Sequence, residues 1–258
     1  FGRRLPIWAG GITLAVAGVL IVKYAIDAGL LTPWVRVLGG LLFGAALIAG
    51  AEAAMRNESI VRDARVRQAL SGAGLATLYA TILMASNAYD LIGPFAAFVL
   101  MAGVTAAALG LSIRFGAPSA LLGLAGGLAT PALVGSLQPD IPLLSVYLAL
   151  TIAGLAGVSR MQRWAWLGIA ALVGGAGWSL WMILASNALD TMAPLSMGGL
   201  VLLLAMALPV LAFERPRATL LRVAAALVGA AQLAMLVAIG GFSLLHWGLF
   251  GLIAAAGQ

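Results

Sequence analysis

The 258-residue chain has no cysteine, a single histidine, and charge on only 9% of its residues. Without cysteine there is no disulfide, no thiolate metal ligand and no cysteine nucleophile, and the redox compartment leaves no trace. His246 stands beside Trp247 with no clustered carboxylates, so neither a metal site nor a Ser–His–Asp set follows from it. No phosphate loop and no dinucleotide fingerprint is written in the chain. The sequence therefore implies no metal and no cofactor. The shortage of charge excludes an aqueous surface: soluble domains carry roughly 25% charged residues, and the 63% hydrophobic share here points to the lipid bilayer as the main partner.

Long apolar runs fill the space that polar residues leave. A spanning helix needs about 20 apolar residues. Ten such segments are present: Ile7–Ile26, Trp34–Met55, Ala69–Tyr89, Pro94–Ile113, Ala117–Leu137, Ile141–Val158, Trp164–Ala185, Pro194–Phe213, Ala218–Ile239 and Phe242–Gly257. Their unbroken character favours helices over a barrel, whose strands alternate with period two. The predicted fold class is all-α: a polytopic membrane helix bundle with about ten transmembrane helices. Phe1–Ile26 is too long and too charged at Lys23 for a signal peptide. The chain opens Phe-Gly-Arg-Arg and stops just past an apolar segment, as expected of part of a longer protein.

The formal charge of +6 would suggest nucleic acid in a soluble protein, but its placement argues otherwise. Twelve of fourteen basic residues fall on one side of the ten-segment arrangement; only Lys23 and Arg36 fall on the other. Lys/Arg excess in short loops marks the cytoplasmic face, so the N-terminal end is predicted cytoplasmic and no nucleic-acid partner is needed. The longest inner connection, Arg56–Arg67, reads as a positive-inside loop or as a short interfacial helix with Ile60 and Val61 in lipid. Trp8, Trp164 and Trp166 suit the inner aromatic belt, and Trp34, Tyr89 and Trp247 the outer one.

"ASNAYD" at Ala85–Asp90 returns as "ASNALD" at Ala185–Asp190, an offset of 100 residues. Pro94 and Pro194 keep the same offset, as do Gly74 and Gly174. An even number of segments separates the copies, so they share one orientation, as in a parallel repeat. The predicted organisation is a leading hairpin with its basic loop (1–68) and two four-helix repeats, 69–163 and 164–258. Turn chemistry explains much of the phrase. Asp favours helix starts, Pro the first turn, and Asn the left-handed position that ends a helix.

Charges within or beside the spans are the candidates for function. Lys23 and Asp27 share a helical face, and Arg36 follows at the same level. With Asn87, Asp90, Asn187 and Asp190 they form the substrate- or ion-binding candidates; the alternative for the first three is a snorkelling Lys held by Asp27. Glu52 is a candidate proton site or simply a partner for Arg56, four residues later. "GLAGGLATP" at Gly123–Pro131 marks Gly126, Gly127, Thr130 and Pro131 as helix-break candidates. There, freed carbonyls either coordinate a ligand or belong to a Pro-kinked, closely packed helix. Gly40 and Gly44 have the spacing of a helix-packing face.

"KYAIDAGLLTPWVRV" at Lys23–Val37, followed by "GAEAA" around Glu52 and by "GLATPALV" at Gly127–Val134, resembles the bacterial multi-pass membrane proteins of domain-of-unknown-function family 2339. In that family the segment reads basic–Tyr–x–Ile–acidic–x–Gly, then Pro and Arg, matched here by Lys23, Tyr24, Ile26, Asp27, Gly29, Pro33 and Arg36. Two departures are Ala51 between Gly50 and Glu52, and Ala129 between Leu128 and Thr130. The resemblance implies a bacterial inner (cytoplasmic) membrane protein and brings no established activity. Three functions remain in order: a transport or translocation component, a scaffold for other membrane proteins or for an oligomer, and, least favoured, an enzyme on lipid-linked substrates. The charge pattern itself is testable. A cysteine at Ser59 should resist impermeant thiol reagents added outside intact cells and react in inside-out vesicles; the reverse pattern would overturn the topology.

Overall fold

The computed structural model describes residues 32–56, 63–134, 141–185, 192–207 and 218–239, together with Gly29 and Gly248. The elements among them are helices: α1 (Pro33–Arg56), α2 (Ala64–Asn87), α3 (Pro94–Phe115), α4 (Ala117–Val134), α5 (Ile141–Gln162), α6 (Ala165–Ala185), α7 (Met192–Leu202) and α8 (Ala218–Ile239), with a π turn, Leu203–Ala207, continuing α7. Six of these, α1 to α6, are long and apolar enough to cross a membrane. The expected first and last segments, Ile7–Ile26 and, apart from Gly248, Phe242–Gly257, lie outside the described residues.

Local chemistry sets the helix ends. Asp63 caps α2 and accepts from the Arg65 amide at 2.9 Å, so the helix starts well before its apolar run. Ala64–Arg67 is thus the first turn of α2 rather than loop, while residues 57–62 lie outside the described residues. Pro94 opens α3 behind Gly93. A single residue, Gly116, separates α3 from α4 with φ 89°, a left-handed conformation open to glycine. Between α5 and α6, Arg163 takes the left-handed position instead (φ 57°), and the Trp164 amide reaches back to the Ser159 carbonyl at 2.9 Å.

The repeated phrase behaves differently from expectation at its first copy. Asp90, not Asn87, adopts positive φ (49°), which lets the Leu91 amide bond the Ala85 carbonyl at 2.8 Å. The cap of α3 falls to Gly93 rather than to Asp90. Beyond Ala185, the end of α6, the second phrase, including Asn187 and Asp190, lies outside the described residues.

Helix α1 packs along α2, which leans on α3 and α4; α5 touches α3, α4, α6 and α7; α8 closes on α6, α7 and the π turn. Leu148, Ile152 and Leu155 on α5 are fully buried and form one core with Leu167, Met182, Met197 and Leu236. A second core joins Leu75 and Ile82 of α2, Met101 and Ala108 of α3, and Val134 of α4. Outward faces are as apolar as the interior: Leu42, Phe95 and Leu150 are about 70% exposed. In water such faces would aggregate; in a bilayer they meet solvent of their own kind.

Small residues set the approach of α1 to α2. A Cβ on Gly74 would stand 2.7 Å from the Gly44 carbonyl oxygen, and one on Gly44 would stand 3.0 Å from that of Gly74. Backbone cannot yield as a flexible side chain does, so overpacking here should cost about 1–3 kcal/mol. Gly74→Val should therefore lower the thermal midpoint of the purified protein clearly. Gly103→Val on the open face of α3, where nothing lies within 4 Å, should change it little. Equal effects at both positions would contradict the close α1–α2 contact.

Candidate functional site

Three polar groups deserve comparison, one at each end of the bundle and one at its middle depth. At the end opposite the arginine-rich turns, Arg36 of α1 reaches Tyr89. Its Nη1 lies 3.4 Å from the phenol oxygen and its Cζ 5.7 Å from the ring centroid. The Arg36 Nε is buried with no hydrogen-bond partner among the described residues. Asn87 donates through Nδ2 to the Leu133 carbonyl at 3.0 Å, tying the last residue of α2 to the last turn of α4. Asp90 is exposed. Lys23 and Asp27 lie outside the described residues, so the expected three-residue cluster is represented by Arg36 alone.

At the arginine-rich end Glu52 accepts from two arginines, Arg56 Nε at 3.3 Å and Arg114 Nη1 at 3.0 Å. The Arg56 pair is the helical partner that the spacing predicts. Arg114, on α3, was invisible to spacing because it is 62 residues away. Gln162 adds a second tie at this end, donating to the Ile113 carbonyl at 3.1 Å.

The middle group is the most elaborate. Pro131 sits inside α4, which runs unbroken to Val134, so of the two readings of this stretch the helix that continues through its proline is the one present. The physical reason is visible at the carbonyls. Proline has no amide hydrogen and so leaves the carbonyl four residues earlier, that of Gly127, without its helical donor. The Tyr147 hydroxyl of α5 supplies the missing bond at 2.8 Å. On either side, Thr130 Oγ1 donates to the Gly126 carbonyl at 2.6 Å, and Trp178 Nε1 of α6 donates to that of Leu128 at 2.8 Å. Three consecutive carbonyls are thus held by side chains from three helices.

The two glycines make room for this. A Cβ on Gly127 would stand 2.8 Å from the methyl groups of both Thr105 and Thr151, and one on Gly126 would collide with the Tyr79 ring. Tyr79 pairs its hydroxyl with Thr105 at 2.8 Å, and the Thr105 hydroxyl in turn donates to the Met101 carbonyl at 2.9 Å. Phe98 packs on the Tyr147 ring with centroids 4.7 Å apart. Motif reading found Gly126, Gly127, Thr130 and Pro131 but missed Tyr79, Thr105, Tyr147 and Trp178. Their one signal is polar tips on otherwise apolar membrane segments.

Away from these groups, a lateral groove of about 150 Å³ lies between α6, α8 and the π turn. Among the described residues its one polar lining side chain, Gln232, turns its amide inward. Nε2 donates to the Ala176 carbonyl at 2.8 Å, and Oε1 accepts from Ser179 at 2.9 Å.

Six membrane-length helices among the described residues, apolar outside and in, define a polytopic helical membrane protein. Within that class the chain belongs to the family of predicted membrane proteins DUF2339, whose profile matches residues 2–257. No curated protein and no solved structure matches it. The Glu52 arrangement can be tested directly. The pair is partly exposed, with 76% of the Arg56 side chain, 56% of Arg114 and 24% of Glu52 accessible. Glu52→Gln should therefore cost no more than about 1 kcal/mol of stability, and the loss should shrink in high salt. A loss of several kcal/mol that ignores salt would show a buried role for Glu52 instead.

Proposed function

We propose that the chain acts as a packing scaffold of the bacterial inner membrane, holding other membrane proteins or further copies of itself against its apolar outer faces. In this reading the whole chain is a bundle of about ten spans. A leading hairpin (1–68) precedes two parallel four-helix units (69–163 and 164–258), and the N-terminal end is cytoplasmic. The observation that carries the proposal is the Gly127 carbonyl. Pro131 frees it at the depth where a transporter would present it to cargo, and Tyr147 takes it. Close Gly-mediated contacts between α1 and α2 and around α4 support the same reading.

Transport, the first choice from sequence alone, is favoured by one specific observation: a proline-interrupted hydrogen-bond ladder at mid-depth, as in the discontinuous helices of many transporters. The two readings differ in whether water reaches Thr105 and Thr151. The natural chain has no cysteine, so single cysteines report cleanly. Thr105→Cys and Thr151→Cys should stay unlabelled by an impermeant thiol reagent from either side of the membrane, while Arg163→Cys at the exposed α5–α6 turn is labelled. A photoreactive residue at Leu42 or Leu150 should then capture a neighbouring membrane protein or a second copy. Labelling of Thr105→Cys to the level of Arg163→Cys would replace the scaffold by a water-filled path and favour transport.

A further inference from the structure

Helix α4 is weakest at one place. The Pro131 ring removes the bond from residue 131 to the Gly127 carbonyl and crowds that oxygen. Gly126 and Gly127, adjoining this gap, are the residues that gain most backbone freedom when a helix loosens. At mid-depth no bulk water compensates a freed carbonyl, so the oxygen must find a protein donor. Among the described residues that donor is Tyr147, 8% exposed and seated against Phe98. Trp178 holds the next carbonyl from α6. Beyond the weak place, the last turn of α4 is tied to α2 by Asn87 at the Leu133 carbonyl.

We infer that α4 has a hinge at Gly127–Pro131, and that the Tyr147 hydroxyl is the latch that keeps the helix continuous. The device couples two levels of the bundle. When the latch opens, the Pro131–Val134 turn tilts and carries the Leu133 carbonyl with it, so the Asn87 contact at the end of the bundle is loosened from the middle. In the other direction, a pull on Asn87 from its exposed end strains the bond between Tyr147 and Gly127. Glycine at 126 and 127 serves both states. It admits Tyr79, Thr105 and Thr151 in the closed form and bends at low cost in the open one. This inference stands apart from the scaffold proposal, since a hinge serves assembly and transport alike.

The test uses the full chain in nanodiscs and reads amide hydrogen exchange along α4. Tyr147→Phe removes the hydroxyl and keeps the ring. It should raise exchange of the Leu128–Val134 amides about five- to tenfold, with α3 unchanged, as loss of one buried hydrogen bond implies. The same change in a Pro131→Ala background should raise exchange less than about twofold, because the restored amide at 131 now serves the Gly127 carbonyl. An equal rise in both backgrounds, or no rise in either, would overturn the latch. If Tyr147→Phe alone does not fold, recovery of folding in the Pro131→Ala, Tyr147→Phe double variant supports the latch, and failure of both overturns it. Impermeant labelling of Thr105→Cys leaves these outcomes unaffected, so the hinge and the scaffold can fail separately.

Discussion

Where hydrocarbon replaces water, each backbone donor and acceptor has to be satisfied by the protein itself, at a cost of several kcal/mol for each one left over. The described structure can be read as the consequences of that constraint. Helices satisfy their own interiors, so the chain is helical wherever it is long and apolar. The exceptions are helix ends and the Pro131 turn, and there side chains take over. Asp63 receives the Arg65 amide in the first turn of α2, Asn87 reaches the last turn of α4, and Gln162 reaches the last turn of α3. The Gly127 carbonyl is the deepest exception and receives the longest reach, a phenol from the neighbouring helix.

Satisfying carbonyls from other helices requires close approach, and this connects hydrogen bonding to composition. With no hydrophobic drive between helices in lipid, association rests on packing and interhelical bonds. Glycine at positions 44, 74, 126, 127 and 174 brings backbones or side chains to distances that a Cβ would forbid. Leu128 illustrates the economy of the arrangement. Its side chain occupies the space over Gly174 on α6, while its carbonyl takes the Trp178 indole from the same helix. Substituting either partner therefore disturbs both a packing contact and a hydrogen bond.

Much of the fold was legible because its signals are local. Unbroken apolar runs placed the starts of α3, α4, α5 and α8 at Pro94, Ala117, Ile141 and Ala218, where the helices do begin. The start of α2 was missed because Arg65, Arg67 and Gln68 break the apolar run, although Asp63 caps the helix in its normal way. The candidate site was legible only in part. A proline after two glycines announces a freed carbonyl, but the donor comes from residue 147, and one-dimensional spacing cannot supply a contact between helices. The same limit hid Arg114 from Glu52. In the ASNAYD turn, the rules for Asn and Asp pointed to the right kind of conformation at the wrong residue. Both tolerate positive φ, and the reach from Leu91 to Ala85 decides between them.

The three polar groups sit in different dielectric surroundings, and this ranks what each can do. The Glu52 pairs are partly exposed, so solvent and salt weaken them; they trim the arginine-rich end more than they hold the bundle. Arg36 is intermediate: its Nη1 meets Tyr89, its Nε is buried, and its charge stays near the membrane surface, where the cost of burial is smaller than at the centre. The middle group carries no formal charge, only hydroxyls, an indole and carbonyls. That composition is what mid-depth permits, because neutral dipoles can be satisfied pairwise while an unpaired ion cannot. It also means that the group responds to displacement of a helix more readily than to a change of pH. A phenol-to-carbonyl bond at 2.8 Å weakens steeply once its partners separate or misalign, and the neighbouring bond from Trp178 of α6 depends on the same approach of helices. The chemistry of the middle of this bundle is thus mechanical: it converts the relative position of α4, α5 and α6 into whether one backbone carbonyl has a partner.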